Sequence, residues 1–155
     1  MADLIKVGMA DLKVANHPAV LTTLGLGSCV GIALFDQRKK NVGLAHIMLP
    51  TSTIAREVTN RAKFADTGII DLVKEMKVLG SDQRNLIAKM FAFTGASETL
   101  KIGLRNSEAV RTILKEMNIP IVCEDTGGNY GRTIEISSED GRLMVRTIGF
   151  GIKYL

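Results

Sequence analysis

Residues 29–50, CVGIALFDQRKKNVGLAHIMLP, decide the fold of this chain. Two apolar runs, 29–36 and 42–50, stand on either side of the polar stretch QRKKN (37–41). Short runs rich in Val, Ile, Leu and Phe are typical of strands, and a loop of roughly four to six residues between them is typical of a hairpin. Pro50 ends the second strand because proline cannot donate to a strand ladder. The pattern therefore predicts an antiparallel β-hairpin.

Further strands and two helices are predicted on both sides of this hairpin. Apolar residues at helical spacing predict a helix over 63–79, and Gly80 follows as its stop signal. A second helix is predicted over 107–117, with Asn106 or Ser107 as its cap. The other predicted elements are a strand or ribbon at 4–14, an apolar run with two glycines at 20–27, a loop at 51–62, strands at 86–93, 119–124, 132–137 and 142–149, loops at 94–103 and 125–131, and an Asp-Gly hairpin turn at 138–141.

These elements amount to one α+β domain over residues 1–155, in which the helices cover sheet faces. A composition of 46% hydrophobic and 23% charged residues excludes a disordered chain and a disulfide scaffold.

The net charge of +4 is mild, and the basic residues are scattered. Nucleic-acid binders show a basic stripe with interleaved aromatic residues, so we expect no nucleic-acid partner.

The expected compartment is the reducing cytoplasm. No signal peptide is recognised at the acidic start of the chain, and the longest apolar stretch, 29–35, is far shorter than the ~20 residues of a membrane span. Cys29 and Cys123 are therefore expected to be free thiols, with a disulfide between them as the alternative.

The first cysteine lies in a glycine-rich stretch, GLGSCVG (25–31). Glycine lets the backbone approach closely, and a nucleophile needs exposed N–H groups nearby to bind an oxyanion. Cys29 therefore fits a catalytic nucleophile. The alternative is a small buried cysteine on a crowded strand, since free cysteine is among the most buried residue types.

The predicted hairpin brings a histidine close to this cysteine. If Phe35 pairs with Val42, then Gly31 pairs with His46, and Cys29 and His46 are diagonal neighbours on one face, with Cβ atoms roughly 5.5–8 Å apart. A register shifted by two residues makes them direct partners, and a shift by one puts them on opposite faces. An imidazole can take the proton of a thiol, and an imidazolium stabilises the thiolate. Of the two histidines, His46 is the better candidate base, because His17 precedes Pro18 in a connecting turn.

Metal and phosphate sites have weaker support. Cys29, Cys123 and the two histidines are residue types that bind zinc, but their spacing matches no zinc motif. No phosphate-loop sequence follows a strand. We therefore expect neither a metal site nor a cofactor site.

Five motifs along the chain resemble the CheD family, the chemoreceptor glutamine deamidases of bacterial and archaeal chemotaxis. The resemblance implies a β-sandwich-like, largely antiparallel core flanked by two main helices, similar in fold to the catalytic domain of the cytotoxic necrotizing factor toxins. In family order, the motifs are TLGLGSC (23–29), AHIMLP (45–50), KFADTGI (63–69), IGLRN (102–106) and EDTGGNYGRTIE (124–135).

The resemblance also implies three catalytic residues. They are Cys29 as the nucleophile, His46 as the base, and Thr23, whose hydroxyl can hold the second nitrogen of the imidazole. Without the resemblance, Thr23 is simply a strand residue beside Thr22. The loop Thr126-Gly127-Gly128-Asn129 is a landmark of the family, and it either lines the cleft or only forms a turn.

The function implied by the resemblance is conversion of selected glutamines of methyl-accepting chemotaxis receptors to glutamate, through a cysteine thioester and without metal or cofactor. A CheC-type chemotaxis phosphatase is a further implied partner, and we expect a monomer that does not insert into membranes. Two alternatives remain open, namely a chemotaxis adaptor without catalytic activity and an unrelated cysteine amidase acting on small molecules.

Overall fold

In the part of the chain that the structure describes, two five-stranded sheets and two α-helices form the fold. The computed structural model describes residues 2–25, 29–92, 100–126, 131–147 and 149–155. Those residues contain the helices α1 (Ala65–Val78) and α2 (Leu100–Glu116). The strands are β1 (Asp3–Lys6), β2 (Leu12–Ala15), β3 (Ala19–Gly25), β4 (Val30–Asp36), β5 (Val42–Ile47), β6 (Leu86–Ala92), β7 (Ile121–Thr126), β8 (Arg132–Ser137), β9 (Leu143–Thr147) and β10 (Gly151–Tyr154).

The two sheets stack face to face, and the helices cover one of them. Sheet A has the strand order β1-β3-β8-β9-β10, and sheet B has the order β2-β5-β4-β6-β7. One face of sheet B packs against apolar residues of α1 and α2, and its other face packs against sheet A. Most strand pairs are antiparallel, with parallel pairs at β1–β3 and β6–β7. The α+β, sandwich-like fold with two flanking helices is therefore confirmed.

The β4–β5 hairpin has the register that brings its two candidate residues together. Phe35 pairs with Val42, and Gly31 pairs with His46. Alternate residues of β4 face opposite layers, since Ile32 packs toward the helices and Ala33 toward sheet A. Every residue of both strands is buried, as expected for the central strands of a three-layer structure.

Helix α1 confirms the prediction over 63–79 to within two residues. Its buried face presents Ile69, Leu72, Val73 and Met76 to sheet B, at the spacing that the sequence shows. Gly80 follows the helix with φ of +102°, the left-handed conformation that ends helices and that glycine adopts without steric cost.

Two predictions near the site are wrong. The single strand predicted over 4–14 is two strands in different sheets, because a turn around Ala10, which has φ of +54°, carries the chain from sheet A to sheet B. The second helix begins at Leu100, within the loop predicted at 94–103, so Asn106 and Ser107 lie inside α2 and do not cap it.

The remaining differences concern strand ends. The chain forms an additional strand, β10, after the predicted last strand, which ends at Thr147. The loop predicted at 51–62 contains short 3₁₀ turns at 52–54 and 61–63.

Residues 127–129 of the family loop lie outside the described residues. Neither described helix combines the length and the apolar character that a membrane span requires.

Candidate active site

Cys29 lies directly before β4, in the layer between the two sheets. It is 7% exposed and belongs to the apolar cluster that both sheets share. Burial raises the pKa of its thiol, because the apolar surroundings disfavour the charged thiolate. The glycine-rich residues 26–28, which the sequence suggests as a source of oxyanion donors, lie outside the described residues.

His46 lies on β5 and is 1% exposed. Because Gly31 is its direct partner, continuing the ladder places Cys29 diagonally across from it on the same face. Gly31 has no Cβ, so it places no side chain on the face that Cys29 and His46 share. Of the registers that the sequence leaves open, the structure therefore has the one that places the candidate nucleophile and the candidate base on the same face as diagonal neighbours.

Thr23 approaches His46 from the opposite sheet. It lies on β3 of sheet A, and its Oγ1 atom is 2.9 Å from Nδ1 of His46. The same Oγ1 atom is 2.7 Å from the carbonyl oxygen of Val7. Thr23 is 3% exposed, so these bonds are made away from solvent.

The two contacts of this hydroxyl determine which nitrogen of His46 carries the proton. A carbonyl oxygen can only accept, so the single hydroxyl proton of Thr23 is donated to Val7. The hydroxyl oxygen must then accept from Nδ1–H of His46. The neutral imidazole is thereby held as the Nδ1–H tautomer, and Nε2 carries the lone pair that a base needs.

The electrostatics favour an uncharged pair before the reaction begins. Burial lowers the pKa of His46, since it disfavours imidazolium, and it raises the pKa of the Cys29 thiol. Both shifts oppose the thiolate–imidazolium pair described from the sequence. The arrangement is therefore suited to moving the thiol proton to His46 during attack on a substrate.

Several contacts around His46 were not predicted from the sequence. The backbone N–H of His46 donates to the carbonyl oxygen of Asp11 at 2.9 Å. Asn106 is fully buried on α2, and its Nδ2 atom donates to the carbonyl oxygen of Met48 at 2.8 Å. Asn106 is a polar residue in helical register with Val110 and Leu114, and that interruption of an apolar stripe is the signal that could have identified it.

The other residues weighed from the sequence lie apart from this arrangement. Both cysteines are free, and Cys123 lies on β7, where it pairs with Lys89. His17 has a different partner, since its Nδ1 atom is 2.8 Å from Oγ of Ser138. Within the described ranges, no three His, Cys, Asp or Glu side chains are grouped closely enough to hold a metal ion.

Comparison with known proteins gives matches over nearly the whole chain. A model of a family described as "CheD chemotactic sensory transduction" matches residues 48–147. A Caldanaerobacter subterraneus protein named "Probable chemoreceptor glutamine deamidase CheD" is 53% identical, with 98% of each chain covered. The "Chemoreceptor glutamine deamidase CheD" of Halalkalibacterium halodurans is 46% identical, with 99% of each chain covered.

A solved structure shares the fold alone. The crystal structure of Neisseria meningitidis protein NMB0706 superimposes with a TM-score of 0.56 at 9% identity, over 83% of this chain and 65% of that one. The family model covers β6, α2 and most of the later strands, and the full-length relatives extend the similarity across β3, β4 and β5. On this evidence the chain belongs to the CheD family.

Proposed function

We propose that this protein deamidates glutamine side chains of methyl-accepting chemotaxis receptors, with Cys29 as the nucleophile, His46 as the base and Thr23 as the residue that orients the base. The observation that carries the proposal is the contact between Thr23 and His46, which holds the lone pair of the imidazole on Nε2. The names of the full-length relatives support glutamine as the substrate group and chemoreceptors as its carriers.

The reaction begins with attack on the glutamine carboxamide. Sγ of Cys29 bonds to the carboxamide carbon while Nε2 of His46 takes the thiol proton. The carbonyl oxygen becomes an oxyanion, and the imidazolium keeps its Nδ1–H bond to Thr23. The tetrahedral intermediate then collapses, because His46 returns the proton to the leaving nitrogen and ammonia departs. A thioester between Cys29 and the former glutamine side chain remains.

Hydrolysis of the thioester completes the cycle. His46 takes a proton from water, and the hydroxide attacks the thioester carbon. The carbon–sulfur bond breaks, His46 returns the proton to sulfur, and the glutamine has become glutamate. The steps use side chains and water only. Thr23 contributes orientation without charge, so it stabilises the imidazolium less than the carboxylate of a Ser-His-Asp triad does.

We also propose, on the family resemblance, that the protein works as a cytoplasmic monomer and binds a CheC-type phosphatase. Gel filtration of the protein alone and with such a phosphatase tests both points. Elution of the protein alone at the mass of a dimer, or separate elution from every CheC-type phosphatase tried, counts against them.

The direct test uses purified protein and receptor cytoplasmic fragments. We expect ammonia release, together with the mass change of amide to acid at specific glutamines in peptide mass spectra. Cys29→Ala should abolish both signals, whereas Cys123→Ser, at the half-buried cysteine on β7, should retain them. Equal loss in both variants with intact folding contradicts the assignment of Cys29.

The same assay separates the alternatives. Ammonia from free glutamine but not from receptor indicates a small-molecule amidase. Receptor binding without ammonia release indicates an adaptor.

A further inference from the structure

The segment that joins β1 to β2 supplies two carbonyl oxygens near His46. One accepts the hydroxyl of Thr23, and the other accepts the backbone N–H of His46. We name residues 7–11, VGMAD, the VGMAD connection; it passes from sheet A to sheet B. Its first residue, Val7, accepts the hydrogen bond of the Thr23 hydroxyl, and its last residue, Asp11, accepts the backbone N–H of His46. Both acceptors are main-chain carbonyls, so their positions depend on the backbone path of the connection.

Side-chain hydrogen bonds stabilise the backbone of this connection, although Ala10 within it has an unfavourable conformation. The carboxylate of Asp11 accepts the N–H of Leu12 at 2.8 Å and that of Gly8 at 3.4 Å, which closes the turn. Nδ2 of Asn60 donates to the carbonyl oxygen of Ala10 at 2.8 Å. Ala10 has φ of +54°, in the left-handed region that is unfavourable for an alanine. Strained residues of this kind persist only where their surroundings impose the conformation.

We propose that Asp11 is a positioning residue for the proposed deamidation, because its carboxylate sets the turn that presents the Val7 carbonyl to Thr23 and its own carbonyl to His46. The inference rests on the proposed function. Without the Val7 acceptor, the hydroxyl proton of Thr23 can turn toward Nδ1 of His46. That bond favours the Nε2–H tautomer, whose lone pair lies on Nδ1 and accepts from Thr23, so that Nε2 cannot take the proton of Cys29.

A purely structural role of Asp11 predicts something different. Many aspartates stabilise turns by bonding nearby backbone N–H groups, and removing one costs stability without changing a distant imidazole. The proposal instead ties Asp11 to the tautomer of His46. The decisive readout is therefore the tautomer itself, which ¹⁵N chemical shifts of the imidazole nitrogens report.

The experiment compares Asp11→Ala and Asp11→Asn in a Cys123→Ser background, where Cys29 is the only cysteine. The matched control is Asp82→Ala. Asp82 is likewise a turn carboxylate, whose Oδ1 atom accepts the backbone N–H of Arg84 and which also binds the guanidinium of that residue. It lies far from the site, because it precedes β6, and the first residue of β6 pairs with the end of β4 remote from Cys29. Imidazole ¹⁵N shifts, the rate of Cys29 alkylation by iodoacetamide at neutral pH, and kcat and KM for receptor fragments are measured for each.

We expect Asp11→Ala to shift His46 toward the Nε2–H tautomer and to lower the alkylation rate and kcat by about tenfold, with KM within about twofold. Asp11→Asn keeps one carboxamide oxygen as an acceptor and should retain most of the activity. Asp11→Ala with the same tautomer and alkylation rate as Asp82→Ala overturns the proposal. If Asp11→Ala fails to fold, Asn60→Asp replaces it, because it removes the Nδ2 donor to the Ala10 carbonyl and keeps Oδ1 as the acceptor for the N–H of Ala62. An unchanged tautomer there also overturns the proposal.

The outcomes separate this inference from the proposed function. The ¹⁵N shifts and the alkylation rates need no receptor, so a parent protein without deamidase activity leaves them readable. If the parent is active and the Asp11 substitutions leave the tautomer of His46 unchanged, only the proposed role of Asp11 is contradicted.

Discussion

Thr23 and His46 belong to different sheets, and the bond of 2.9 Å between Oγ1 and Nδ1 joins the two halves of the sandwich at the candidate site. The candidate base His46 is therefore contacted by a residue of the sheet that does not carry it. Its tautomer depends on how the two sheets face each other as well as on the strand in which it lies.

Replacing Thr23 by Val keeps the side-chain shape and removes the hydroxyl. A neutral hydrogen bond contributes about 0.5–1.5 kcal/mol, which corresponds to a rate loss of roughly three- to tenfold. Misplacement of His46 raises the loss toward about a hundredfold. Deamidation kinetics and iodoacetamide reactivity of Cys29 check the result, with Thr23→Ser, which keeps a hydroxyl, as the control.

The outcome also distinguishes two roles for Thr23. Lower thiol reactivity in Thr23→Val supports orientation of His46. Unchanged reactivity with weaker receptor binding instead assigns the hydroxyl to substrate contact, and full activity removes Thr23 from the site.

The pH dependence of Cys29 alkylation should report an uncharged resting pair. Burial disfavours the thiolate and raises the pKa of the thiol above that of a free cysteine, about 8.5. The alkylation rate is therefore expected to keep rising above about pH 8.5 in the Cys123→Ser protein. A rate that levels off near pH 6–7 would show a preformed thiolate–imidazolium pair, as in cysteine enzymes of low thiol pKa.

Asn106→Leu should destabilise the protein by about 1–3 kcal/mol, because the carbonyl of Met48, which is only partly exposed, loses its amide donor. Urea unfolding of the variant against the parent measures the change in free energy. The control is Ser107→Ala. The Ser107 hydroxyl bonds the carbonyl of Gly103 within α2, and alanine favours helix, so its effect should stay within about 0.5 kcal/mol. Equal free energies for the two variants would contradict the role of Asn106 in holding the end of β5.

Gly141→Ala tests the packing of the turn between β8 and β9, and Gly149→Ala, between β9 and β10, is its matched control. Both glycines have positive φ, +73° and +82°, so both substitutions cost about 1–2 kcal/mol in backbone energy. Only at Gly141 would the new Cβ overlap the ring of Phe35, lying 2.8 Å from its Cε2 atom, whereas nothing lies within 4 Å at Gly149. We expect Gly141→Ala to cost a further 1–3 kcal/mol, roughly, in urea unfolding. Equal losses would show that the Phe35 ring moves aside freely.

The central hairpin could be predicted because its determinants are local. The polar turn at 37–41 separates two apolar runs, which predicts the hairpin but leaves its register open. The structure has the register that pairs Phe35 with Val42 and Gly31 with His46. Helix α1 followed from its apolar spacing for the same reason. Alternating patterns, however, do not say which sheet a strand joins, so the division of 4–14 between two sheets was missed.

The start of α2 and the role of Thr23 depend on long-range contacts. Asn106 and Ser107 resemble caps in sequence, but the amide of Asn106 bonds Met48 and the hydroxyl of Ser107 bonds the helix backbone. Thr23 has no local signal, because its partners are a histidine of the other sheet and a main-chain carbonyl. Only the family resemblance singled it out, and its catalytic role stays a prediction.

The placement of β3 between β1 and β8 also bears on when the site is assembled during synthesis. Thr23 pairs with Ile134, so the strand that carries Thr23 gains its second neighbour only after the ribosome has passed residues 132–137. The hairpin with Cys29 and His46 is made much earlier. A nascent chain that ends before β8 therefore carries the thiol and the imidazole but lacks the completed sheet that aligns them. On the proposed mechanism, amide hydrolysis is therefore expected only after β8 has been synthesised and paired with β3.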